Sequence, residues 1–200
     1  MTVLATRPAT QLPVHVEEQR DLAGGLATAV FDSPARTYRY LLTRIWDPAV
    51  APLVVLMLNP STANALEDDP TIRRLSGPRG FARREGAGGV VVVNLFSLCS
   101  PHPSDLVAHP DPVGPLGDVF IRRGIAMSRG PRRAGVKGSS RVVAAWGAFP
   151  MAVDRGRDVT AALRRRGVVM ACLGTTSEGH PRHPLYLPGA AALEPYGLAA

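Results

Sequence analysis

Short uninterrupted apolar runs alternate with amphipathic stretches along most of this chain. Four runs stand out: PLVVLMLN, GGVVVVNLFSL, RVVAAWG and VVMACLG. Each is short, rich in valine, leucine or alanine, and bounded by glycine, proline or polar clusters. That is the pattern of a strand covered on both faces. The stretches between them have helical features. DDPTIRRL places Asp69 at an N-cap and Pro70 at the first helical position, and predicts a helix running to about Glu85, interrupted by SGPRG. PSDLVAH predicts one short helix, PVGPLGDVFIRRGIAMS a longer one, and RGRDVTAALRRRG another after the third apolar run. Upstream, GLATAVFDS and TYRYLLTRIWD have strand character, and the turn DSPAR between them predicts an antiparallel pair. Residues 1–20 read as a loosely held lead-in and 21–200 as a single α/β domain. The tail TTSEGHPRHPLYLPGAAALEPYG reads as a loop with a short closing helix.

From residue 50 onward the order is strand, helix, strand, helix, strand, helix, strand, tail. Repeated βα units of this kind predict a mostly parallel sheet with helices on both faces. Ligands of such sheets bind outside the carboxyl ends of the strands. The residues at those ends are therefore candidates for one site. After the first run come Asn59, Ser61, Thr62, Asp68 and Asp69; at the second, Asn94 and Phe96; at the third, Trp146; after the fourth, His180 and His183. Singly, each has an ordinary explanation as a turn, cap, core or loop residue. Together they are expected on one edge of the sheet.

Composition narrows the class. With 200 residues, 46% hydrophobic and 20% charged, the chain suits one globular domain. No apolar stretch approaches the roughly 20 residues needed to span a bilayer, and the start lacks a basic region followed by an apolar one, so the expected location is the cytoplasm. Cys99 and Cys172, the only cysteines, are too few for a disulfide framework and read as buried thiols. The net charge is +7 and the pI about 10.4. Nearly all of the positive charge is arginine, and Lys137 is the only lysine. Arginine forks suit phosphate, so nucleic acid or a nucleotide is the expected partner, with Arg73, Arg74, Arg132 and Arg133 as phosphate contacts; GC-rich codon usage explains the same composition without any partner. The His180/His183 spacing in a proline-rich loop does not match helix-borne zinc sites, and neither metal nor cofactor is expected.

YRYLLTRIWD, LMLNPSTANALEDDPTIRR, VVVNLFSL, VVAAWG and GHPRHPLYL resemble, in order and spacing, the bacterial family called domain of unknown function 1643, over about residues 26–188. More distantly, the chain is similar to the uracil-DNA glycosylase superfamily. MLNP is similar to its Gly-x-Asn-Pro motif, with Met57 in place of the glycine. VVVVNL matches the strand ending in a base-reading asparagine, and HPRHPLY is similar to its histidine motif with one extra residue. This second resemblance implies a three-layer α/β/α sandwich around a mostly parallel sheet, preceded here by the antiparallel strand pair.

The resemblance also implies a nucleobase-recognising N-glycosidase-like protein acting on nucleic acid or a nucleotide. In that reading Asn59 and Asp69 position and activate water, with Asp68 as the other candidate base. Asn94 reads the base edge, Phe96 stacks on the base, and His183 donates to the leaving base. Ser61 and Thr62 line the pocket, Trp146 lies near its floor and His180 near its rim. The alternative is a non-catalytic nucleotide- or nucleic-acid-binding module.

Overall fold

A computed structural model describes residues 13–131 and 141–197. Arg132 and Arg133, read above as phosphate contacts, lie outside the described residues. The four apolar runs form β4 (Leu53–Met57), β5 (Gly89–Asn94), β6 (Val142–Ala144) and β7 (Met170–Cys172). They lie side by side in the order β5-β4-β6-β7, and all three of their pairings are parallel. β4, β5, β6 and β7 are buried along their whole length, as expected for strands covered on both faces.

The whole sheet corrects the expected architecture. It has eight strands in the order β1-β2-β3-β5-β4-β6-β7-β8, with β1 (His15–Arg20), β2 (Leu26–Phe31), β3 (Arg39–Ile45) and β8 (Glu194–Tyr196) added outside the parallel four. Four of its seven pairings are antiparallel. The molecule is built on a mixed, mainly antiparallel sheet rather than a mostly parallel three-layer sandwich. The reason is connectivity. β1, β2 and β3 are joined by short turns, which permit only antiparallel neighbours. Asp21 closes the first turn by accepting from the backbone N–H groups of Ala23 and Gly25, each at 2.8 Å. Asp32 closes the second by accepting from the N–H of Tyr38 at 2.9 Å. The expected β2/β3 pair therefore forms, but it continues into the main sheet through β3 and β5. The stretch read as a lead-in supplies edge strand β1. The tail holds a 3₁₀ turn, Pro184–Tyr186, and β8 in place of a closing helix.

Helices are few and mostly short. α1 (Pro70–Ser76) and α2 (Phe81–Arg84) bury Ile72, Leu75, Phe81 and Ala82 against one face of the sheet, where Leu53, Val55, Val90, Val92 and Val143 project. α3 (Asp105–Ala108), α4 (Gly117–Met127) and α5 (Pro150–Arg164) cover the other face. There Leu106, Ile121, Ile125, Val159 and Leu163 meet Val54, Leu56, Val91, Val93 and Val142. At about 25 cal/mol per Å² of apolar surface, these two layers supply the main favourable term for folding. The chain leaves β4 toward the α1/α2 face and leaves β5 and β6 toward the other, so the carboxyl edge opens around β4.

Candidate active site at the carboxyl edge of the parallel strands

Strand alternation decides what meets at this edge. Successive side chains of a strand point to opposite faces. Asn94 ends β5 in phase with Val90 and Val92, which pack on the α1/α2 face. Trp146, in contrast, packs with Val142 and Ala144 on the α5 face. The two residues leave the same edge in opposite directions. Asn94 is only 4% exposed, and its Nδ2 has no hydrogen-bond partner among the described residues. A buried amide donor left unpaired costs about 1–3 kcal/mol, so this orphan calls for an explanation.

The polar loop between β4 and α1 is largely self-bracing. Asn59 Nδ2 donates to the carbonyl oxygens of Pro60 and Ser100, both at 2.9 Å, and so ties the loop to the segment after β5. Asn64 Oδ1 accepts from the N–H groups of Leu66 and Glu67. Asp68 takes a two-pronged contact from Arg44, with Nε at 2.8 Å and Nη2 at 2.6 Å. Arg44 Nη2 also donates to the carbonyl oxygen of Asn64 at 2.6 Å. Asp68 is thus neutralised by a strand arginine and serves as a brace. Asp69 caps α1, its Oδ1 accepting from the N–H of Ile72 at 2.8 Å, as the sequence predicts. Ser61 and Thr62 are exposed on the loop.

Asp69 also faces two groups brought in from other elements. One is His183, whose protonation is lowered by burial, with the negative charge of Asp69 opposing that shift. His183 Nδ1 accepts from the N–H of Leu185 at 3.3 Å, which leaves the ring proton on Nε2 in the neutral form. The other is Arg39. This arginine is 3% exposed and its Nη1 donates to the carbonyl oxygen of Ala63 at 2.6 Å, while its Nε has no partner among the described residues. Burial brings its pKa down to about 10, with Cys99 and Asp69 acting in the opposite direction. The sequence reading missed Arg39. Its only signal was a charged residue at the start of an otherwise well-covered strand, YRYLLTRI, easily taken for the solvent phase.

The α1/α2 side of the edge therefore carries Arg39, Asp69, Asn94 and His183. The remaining candidates go elsewhere. Phe96 is 3% exposed and belongs to the core on the α5 face, so it offers no free stacking surface. Trp146 is on that same face. His180 lines a cavity beside Trp146, Thr160 and Tyr196 rather than the edge held by His183. Arg73 donates to the carbonyl oxygen of Asp68, although it stays exposed. Arg74 donates to the carbonyl oxygen of Leu187 and lies over the ring of Phe81 at 5.5 Å, holding α1 to the tail rather than facing a phosphate. Among the described residues no group of three or more His, Cys, Asp or Glu is placed to hold a metal. No helix among them is long and apolar enough to cross a membrane.

Fold and edge together define a mixed-sheet α/β protein with buried and half-buried polar residues on one side of the carboxyl edge of its parallel strands. The chain belongs to the family described as Protein of unknown function (DUF1643), whose model matches residues 39–185. That span opens on Arg39 and takes in Asp69, Asn94 and His183. No curated protein and no solved structure matches the chain.

Proposed function

We propose that the chain recognises a nucleobase at the α1/α2 side of this edge and acts as an N-glycosidase-like hydrolase on a nucleotide or nucleic acid. The observation that carries the reading is the Asn94 amide, buried and with an unpartnered Nδ2 on the face that also bears Asp69 and His183. A side-chain amide has donors and an acceptor, the complement of a base edge, and a bound base would satisfy the orphan donor. His183 keeps its N–H on Nε2, the donor that a departing anionic base requires. Arg39 adds a positive charge in low dielectric, where it stabilises that developing negative charge more than it would in water. Only Asp69 Oδ1 is engaged by the cap, which leaves the second oxygen to take a proton from water.

One observation favours a second reading, a binding module of the same fold without catalysis. The Nδ2 of Asn59 is held by two backbone carbonyls, so that amide nitrogen is not free to orient water. A single assay separates the two. The protein is incubated with nucleosides, nucleotides and oligonucleotides carrying uracil, hypoxanthine and damaged bases, and free base and abasic sites are scored. Release of a base that disappears in Asp69→Asn supports hydrolysis. Saturable binding without release supports the module. Neither binding nor release with any member of the panel overturns both.

A further inference from the structure

We propose a second binding site, for a planar aromatic phosphomonoester such as a nucleoside monophosphate, in the cavity between α5 and β8. It does not rest on the reading of the opposite face. The cavity has a volume of about 330 Å³, within the range of small-ligand pockets. Three features give it chemistry. The ring of Tyr196, half-buried, lines the cavity and can take a flat ring on its face; the buried indole of Trp146 backs it, the two rings meeting as a corner at 82° with centroids 5.5 Å apart. Thr160, on the cavity wall, is 9% exposed and its Oγ1 has no partner among the described residues. Arg157 and Arg164, one and two turns apart from Thr160 and each other along α5, also line the cavity, as does His180.

The arginines are available. Arg164 makes no ion pair among the described residues, and Arg157 is held only by Asp154 at 2.8 Å in a pair that is 69% and 84% exposed. An exposed pair of this type contributes little and is readily exchanged for a dianionic phosphate. Glu178 lies 3.4 Å from His180 and is well exposed at 79%. Rings with a hydroxyl and two guanidinium groups select a ligand with an aromatic body and an anionic end. Gly156 keeps the corner in place: a Cβ there would stand 2.8 Å from the indole of Trp146.

The test is calorimetric titration of the full chain with adenosine 5′-monophosphate, adenosine and inorganic phosphate in separate arms. Saturable binding of the monophosphate, at least tenfold tighter than either fragment, is expected. Arg157→Ala with Arg164→Ala should weaken it at least tenfold, and Thr160→Val several-fold, while Arg123→Ala, an exposed arginine of α4 outside the cavity, leaves it unchanged. Because the two arginines are on the surface, their removal is expected to spare the fold, and a thermal melt checks this. No saturable binding overturns the proposal. So does phosphate binding as tightly as the monophosphate, or an affinity that falls in Arg123→Ala and not in the cavity-arginine variant.

Discussion

The two faces of the central sheet carry different chemistry from the same strand ends. The α1/α2 face has a polar set in which Arg39 and Asn94 are buried and Asp69 and His183 are half-buried caps. The α5 face has an open cavity with aromatic walls and surface arginines. A buried charge in low dielectric is costly without a partner, and Arg39 is braced by the carbonyl oxygen of Ala63. An open, aromatic and cationic cavity suits binding alone. The contrast shows that position at a strand end is not sufficient to place a residue in a site; the parity of the side chain along the strand chooses the face.

Four experiments bear on that contrast. The largest effect is expected from Asn94→Ala, which should abolish base binding on the α1/α2 face and leave nucleotide binding at the α5 cavity intact. Asn94→Leu is the stability control. Replacing an unpaired amide by an apolar group of similar size should raise stability by about 1 kcal/mol, read by denaturant midpoint, although binding is lost. A loss of stability in Asn94→Leu would mean the amide is paired after all.

Asp69→Asn should reduce turnover by roughly 10²-fold while sparing binding, the scale for losing a general base. Asparagine is as good an N-cap as aspartate, so the melting temperature should hardly move. Unchanged turnover in Asp69→Asn would make Asp69 a cap and nothing more.

Gly156→Ala probes the other face. Alanine is better than glycine in a helix by about 1 kcal/mol. Its Cβ would nevertheless meet Cε2 and Nε1 of Trp146 at 2.8 Å, and overpacking of this type costs about 1–3 kcal/mol. A net loss of about 1 kcal/mol is expected, with weaker nucleotide binding and unchanged base release. A stabilised variant would show that the aromatic corner yields freely.

The smallest effect concerns pH. Burial lowers the His183 pKa below its ordinary value of 6.5, so the folded state resists protonation there. The unfolded chain then binds more protons as pH falls below 6.5, and the stability associated with neutral His183 is present above that pH and lost as it falls through the depressed folded value. His183→Asn, which retains an acceptor for the N–H of Leu185, should flatten the fall in stability below pH 6.5. An unchanged profile would show that His183 titrates as it would in water.

Much of the local structure was legible. Asp69 and Pro70 announced a helix start, and the cap bond to Ile72 is present. The valine run of β5 declared a strand covered on both faces, and all six of its positions are buried. Asn59 was legible as a loop residue but not as a clamp, because its partner carbonyl on Ser100 is 41 residues away. Arg39 was not legible as a site residue, since its burial depends on the loop around Ala63 folding over it.

The sequence by itself determined the four central strands and that they run parallel, the β2/β3 pair and the helix start at Pro70, because apolar periodicity and cap chemistry act within a few residues. Only the tertiary structure decided that antiparallel strands would flank those four on both edges. Short turns and edge pairing add strands that carry no strong apolar signal of their own. It also decided that Asn94 and Trp146 would part at the same edge. Alternation along a strand is exact in period, but which phase meets which helix is set by the direction in which the chain leaves each strand, and no residue in either segment encodes that alone.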